Sequence, residues 1–467
     1  LVLALAVAIP GAPRPVAAYD FEVTARTEGY GYQLRRYDGT NISFLNRRRV
    51  SQLLGLRIFN LLEDGRQAFG ATGGRPPALL TIHALMRFDT DFGGYIYPRY
   101  EVPELENNQL DLMLGALEGR NLLGGWIDFT LGRQFDAELM DLFAFDGLRV
   151  RVNSPWHLFV ESHVGVQIAR AHPFSAAVFE TDGTSGDPSS EAWSPTFGVA
   201  AGVEDLRGLG VRVAYRGTAS KAEPGLVSDG DEGEESIWGV DQELVFVSMD
   251  YVVPVLGTRP LFGLRHNLLT GQLDDVQAAV IQQLGRHHLH LEYLHSRPHF
   301  DGDSIFNIFA TEPFNEIAAR YSVRPLEPLE LSARVGYRRF WRDEAENADD
   351  WRADALSTGA GARWRTPRLF AELDLYYLGG VEGATYGGDV AGSWSILRWL
   401  GVDGRISLVR FNESGWRDGL LNFGFQLGGK LRLFRGVNVQ MVLEDNISRL
   451  YRSALRLLAV LDLEFAP

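Results

Sequence analysis

A single closed antiparallel transmembrane β-barrel is the fold class that this chain of 467 residues predicts, and three observations predict it. Apolar and polar residues alternate with a period of two in segment after segment, as in a strand with one face in lipid and the other in water. No run of about 20 apolar residues, the length a helical span needs, occurs anywhere. Mean hydropathy is near neutral at −0.09 although aromatics reach 11%, and 51 glycines accompany them. A barrel wall averages to such values because every strand contributes to both lipid and lumen. No linker composition interrupts the chain, so one large barrel accounts for residues 19–467 without a second domain.

Taken in order, Leu1 to Pro10 is a short apolar run followed by small residues at Val16 and Ala18. This resembles the apolar core and processing site of a secretory signal peptide, so residues 1–18 are expected as a signal peptide shortened at its start, with the mature chain opening near Tyr19. Alternation then begins: Phe21, Val23 and Ala25 oppose Glu22, Thr24 and Arg26. It recurs at Leu148 to Val152 and at Leu369 to Tyr377. In the clearest case Leu421, Phe423, Phe425, Leu427, Leu431 and Leu433 share one face, while Asn422, Gln426, Lys430 and Arg432 share the other. The final stretch sets Leu455, Leu457, Ala459, Leu461, Leu463 and Phe465 against Arg456, Leu458, Val460, Asp462 and Glu464. An apolar alternation ending in an aromatic resembles the C-terminal signature of bacterial outer-membrane barrels. That resemblance implies the bacterial outer membrane as location, its lipid and lipopolysaccharide as surroundings, and its insertion machinery as a partner that reads this strand. In the signature the aromatic is usually the last residue; here Ala466 and Pro467 follow.

Turn signals sort into two alternating kinds. Short ones lie near Asn153–Pro155, Asp205–Gly208, Gly257–Pro260, Gly285–His287, Arg324–Pro328, Thr366–Pro367, Leu400–Asp403 and Phe434–Gly436, with earlier ones at Gly119–Gly124 and Gly65–Pro77. Longer polar connections fall at Tyr37–Asn46, Asp91–Asn108, Arg170–Ala192, Lys221–Ile237, Pro298–Pro313 and Arg342–Asp350. Short periplasmic turns alternating with long outer loops give about 22 strands, within a range of about 18 to 24.

The net charge of −15 is concentrated in two blocks, Asp229–Glu235 and Asp343–Asp350, which read as solvated loops and argue against a nucleic-acid partner. Cysteine is absent, so neither a disulfide framework nor a thiolate metal site exists. Gly424 to Lys430 satisfies the first seven positions of a phosphate-binding loop, but Leu431 stands where a magnesium-holding hydroxyl belongs and the segment is strand throughout. Nothing calls for a cofactor, and no local Ser/His/Asp set or metalloprotease motif nominates an enzyme. Extended, His288, His290 and Glu292 share a face; two such histidines stand about 7 Å apart, open either to a divalent metal with a third ligand or to service as a polar row.

Inward cations make the stronger pattern. Parity puts Arg320 and Arg324 on one strand, Arg334 and Arg338 on the next, and Arg363 and Arg365 on the third, all opposite the apolar face, with Glu316 and Glu330 interleaved. Arg149, Arg151, Lys430 and Arg432 add to the lumen elsewhere. Such a wall either selects anions or serves as an Arg/Glu ladder that stiffens a wide barrel. Gly125 to Gln134 followed by Phe145 to Arg151 resembles the paired hairpin strands of alginate-export-type porins. The resemblance implies a basic lumen guiding an acidic polysaccharide, with Arg133 and Arg149 as the matching positions, although that family's barrel has fewer strands. Together these readings imply a porin-like channel for a small anionic solute or an acidic polysaccharide. The competing class is a structural or adhesive barrel, or a barrel enzyme acting on lipid.

Overall fold

The computed structural model describes residues 20–38, 41–59, 61–62, 78–92, 94–97, 108–138, 141–168, 194–221, 238–297, 313–340, 353–380, 383–413, 420–448 and 454–465. The wall opens with β1 (Asp20–Asp38), β2 (Asn41–Phe59), β3 (Leu79–Asp91), β4 (Gly94–Tyr97), β5 (Asn108–Asn121) and β6 (Ile127–Glu138). It continues through β7 (Asp141–Asn153), β8 (Leu158–Gln167), β9 (Pro195–Leu206), β10 (Leu209–Lys221), β11 (Trp238–Tyr251) and β12 (Thr258–Asn267). Next come β13 (Gln272–Leu284), β14 (His287–Ser296), β15 (Phe314–Leu326), β16 (Leu329–Phe340), β17 (Ala353–Arg365) and β18 (Leu369–Gly380). The last are β19 (Gly383–Ser395), β20 (Leu400–Glu413), β21 (Leu420–Phe434), β22 (Val437–Ser448) and β23 (Arg456–Phe465).

Every neighbouring pair is antiparallel, and β1 closes on β23 in the register Val23 to Phe465 through Gly31 to Leu457. β3 and β4 both pair with β2, so they are two segments of one stave and the closed barrel has 22 strands. An even number brings both ends of the chain to one rim, which is also the rim of the short turns and hence the periplasmic one. No described helix is long and apolar enough to cross a membrane; the chain crosses with strands.

The register converts the sequence alternation into a continuous apolar exterior. Phe425 pairs with Ile406, Leu427 with Leu443, Leu461 with Val439, and Leu291 with Ala319. Ile317 on this face is 63% exposed, as are many leucines and valines to a similar extent. In water such a surface would aggregate; in a bilayer it is the lipid belt. Outward Tyr293, Tyr337, Tyr377 and Tyr386 lie toward the outer ends of their strands, and Trp364, Trp394 and Trp399 lie at the turn rim. These are the two aromatic girdles expected at headgroup level. Closed wall and belt together place the protein in the bacterial outer membrane.

Three boundaries depart from expectation. Residues 37–46 are strand up to Asp38 and again from Asn41, because β1 and β2 are 19 residues long. A bilayer needs only about 9–11 residues per strand, so the surplus extends the wall beyond the lipid, where no continuous apolar face is required. Within Asp91–Asn108, Gly94–Tyr97 is likewise strand, and Leu400–Asp403 begins β20, the turn being four residues earlier. One helical turn, Leu122–Gly125, joins β5 to β6. The remaining long connections, apart from their end residues Lys221 and Pro313, lie outside the described residues, as do Gly65–Pro77 and residues 1–18. At the β21–β22 turn Gly436 has φ 80°, and a Cβ there would collide with the Glu464 carbonyl oxygen as β23 passes, so glycine is required twice over.

Candidate functional site

The inner surface divides into a packed wall and a watered wall. On the packed wall, β6 to β13, many inward residues are buried: Phe145 is 0% exposed, and Phe143, Leu244 and Phe246 are nearly so. Arg216 anchors it. Its guanidinium lies 4.2 Å from the Phe143 ring centre and 5.4 Å from that of Phe246, and pairs with Asp141 at 2.6 Å while donating to Gln242 at 3.0 Å. Arg265 pairs with Asp275 at 2.6 Å. Arg149 stands 3.2 Å from Asp136 and 5.6 Å from the Phe145 ring; Arg151 lies 4.1 Å over Phe159 and pairs with Glu204. Aromatic faces carry the cations and carboxylates neutralise them, so charged side chains fill this interior around a small apolar cluster of Ala200, Ala214, Leu244 and Phe246. Toward the periplasmic rim a cavity of about 680 Å³ remains, lined by Arg120, Asp128, Arg149, Arg151 and Glu204 among others.

On the watered wall, β14 to β23, inward arginines reach solvent. Side-chain exposure is 68% for Arg324 and 47% for Arg334, against 6% for Arg216. Arg338 donates to Glu316 at 2.8 Å, Arg334 to Asp374 at 3.0 Å, Arg363 to Glu372 at 2.6 Å, Arg324 to Glu330 at 2.8 Å, and Arg405 pairs with Asp389 at 3.0 Å. Arg334 reaches Asp374 across an entire strand, β17, because Gly359 lies beneath it; a Cβ at Gly359 would run into the guanidinium. Gly359→Val should break that pair and cost about 1–3 kcal/mol of overpacking, read as a lowered urea midpoint of the folded, heat-modifiable band.

Four predicted cations have no carboxylate within ion-pair distance among the described residues: Arg320, Arg365, Lys430 and Arg432. Arg365 rests 5.6 Å from the Phe370 ring. Arg320 is exposed, stands directly opposite Arg334 in the β15–β16 ladder, and has His290 opposite it on β14. Two like charges face each other there, and the carboxylate that Arg334 holds, Asp374, lies on its far side, across β17 and away from Arg320.

Arg133 is a correction. The register pairs it with Asp146 and Gly115 on the face of Leu131 and Phe135, which is the outer face, not the lumen. It donates to both Asp146 oxygens, at 3.0 and 2.8 Å, and to the Leu112 carbonyl oxygen at 2.6 Å, beside the bulge in β5. Its work is to satisfy that bulge. His288, His290 and Glu292 do share the inner face, opposite Ser322, Arg320 and Ala318. Glu292 accepts a hydrogen bond from Gln277 at 2.7 Å, and among the described residues no three His, Asp or Glu side chains converge as a metal site. A guanidinium beside His290 would oppose a bound cation. Arg216, Asp141, Arg265, Asp275, Phe143 and Phe246 were not singled out by sequence, although their inward parity was available to find them.

No family model matches the chain, and no curated protein does. Among solved structures it is similar to Acinetobacter baumannii OccAB4, at 8% identity and a TM-score of 0.45 over 97% of this chain and 99% of that one. Pseudomonas aeruginosa OccK9 (OpdG) matches at 8% and 0.45 over 96% and 98%. The outer membrane protein opdK of the same organism matches at 10% and 0.42 over 96% and 99%. What this barrel does rests on its own residues.

Proposed function

We propose that the barrel is a porin-like outer-membrane channel for passive diffusion of polar, anionic solutes, either small carboxylates or the units of an acidic polysaccharide. The leader, residues 1–18, is removed on export, and the insertion machinery engages β23. The observation that carries the reading is Arg320 facing Arg334 on the watered wall without a carboxylate of its own. Like charges directly opposite each other destabilise a strand pair, and an anion passing between them relieves the repulsion. At about 5 Å and an effective dielectric near 20 the attraction is about 3 kcal/mol, enough to bias which ions enter and too little to hold them. The neighbouring ladder of ion pairs keeps the other guanidinium groups in place.

Purified protein in planar bilayers under a salt gradient tests this. The reversal potential should show anion preference, and Arg320→Gln should move it toward zero with insertion unchanged. A barrel that inserts without conductance, or conducts with cation preference, overturns the assignment and favours the structural or lipid-acting class.

A further inference from the structure

The outer face of β17 to β21 carries a feature that the lumen reading does not use. A groove of about 920 Å³ lies there, lined by Leu375, Val390 and Leu408 among others, in the size range of small-molecule pockets, about 300–1,000 Å³. Its depth follows from sequence: Leu375 has Ala360 opposite it on one side and Gly388 on the other, so the wall drops on both flanks of an exposed leucine. Gly388 in turn faces Leu408.

At the extracellular end of the groove the lining changes character. Arg410 is exposed, three residues from the end of β20, and pairs across the ladder with Tyr386, whose ring centre is 5.9 Å from the guanidinium. Tyr386 in turn faces Tyr377, so both tyrosines sit in the upper girdle at headgroup level. Two other outward arginines are neutralised: Arg133 by Asp146, and Arg339 by Asp354 at 3.0 Å with the Tyr337 hydroxyl at 2.9 Å. Arg410 has no carboxylate partner among the described residues.

We propose that this groove binds one molecule of lipopolysaccharide, with a phosphate on Arg410 and an acyl chain lying over Gly388 between Leu375 and Leu408. The occupant follows from charge and depth. A guanidinium matches a phosphate bidentately, the apolar channel below it matches an acyl chain, and the rim opposite the termini faces the outer leaflet, whose lipid is a phosphorylated glycolipid. The proposal is independent of the channel reading, since every residue it uses points away from the lumen.

Detergent-solubilised barrel titrated with lipid A and followed by native mass spectrometry provides the test. The expected result is one lipid A retained per barrel, with affinity lowered roughly ten- to a hundredfold by Arg410→Gln, as for loss of a charged hydrogen-bonding partner. Leu408→Trp should weaken retention as well by filling the groove, whereas Val164→Trp, on the outer face of β8, should leave it unchanged. Heat-modifiable migration verifies that each variant is folded. Equal retention by wild type, Arg410→Gln and Leu408→Trp would overturn the proposal. Equal competition by phosphatidylglycerol would also overturn it, because the site would then not select the glycolipid.

Discussion

Leu461→Arg combined with Leu463→Arg should leave no folded barrel. Both positions lie on the outer face of β23, with Leu461 paired to Thr27 and Val439, and Leu463 to Ala25 and Val437. The arginines would therefore point into lipid on the strand that closes the wall. Each costs roughly 2–4 kcal/mol near the midplane and less near the rim, so the pair removes several kcal/mol from the seam on which every other pairing depends. The expected readout is loss of the heat-modifiable band and of the outer-membrane fraction. Asp462, between them, faces inward toward Arg26, so Asp462→Asn should be tolerated and separates a lipid-face effect from a general intolerance of the strand. Normal insertion of the double variant would mean that the faces are reversed.

A second large effect is expected at the packed wall. Arg216→Leu removes the partner of Asp141 and of Gln242 and leaves a carboxylate in a site where the arginine side chain was 6% exposed. Arg265, at 4.0 Å from Asp141, compensates only in part. Breaking a buried pair from one side costs about 3–5 kcal/mol, whereas replacing both partners by apolar groups is often nearly neutral. Arg216→Leu should therefore lower the urea midpoint strongly, and Arg216→Leu with Asp141→Leu should recover much of the loss. A single variant as stable as wild type would show that this network contributes nothing to holding the wall together.

The contrast between the two walls explains what the sequence reveals and what it does not. Period-two alternation is a local property, so strands such as Leu420–Phe434 and the closing β23 are readable residue by residue, and inward parity for Arg320, Arg334 and Arg338 follows at once. Arg133 was assigned by resemblance, while its own parity with Leu131 and Phe135 already pointed outward. Partner choice is not local. Arg334 meets Asp374 two strands away, through a gap left by Gly359, and no spacing along the chain encodes that contact. The same holds for Arg216 and Asp141, which lie on strands that do not pair with each other. Sequence thus exposed which cations face inward but not which of them are neutralised, and that distinction separates Arg320 from the ladder around it.

The channel assignment is tested most directly by the reversal potential of Arg320→Gln with Arg334→Gln and Arg338→Gln, measured in planar bilayers under a salt gradient. The triple change removes three positive charges from two adjacent strands and leaves Glu316 and Asp374 without their guanidinium partners on the same wall. These groups are solvent-exposed or half-exposed, so selectivity should change more than stability. The account predicts an inserted, conducting barrel whose reversal potential moves from anion toward cation preference. An unaltered reversal potential with conductance intact would contradict it, because these arginines would then lie off the conducting path.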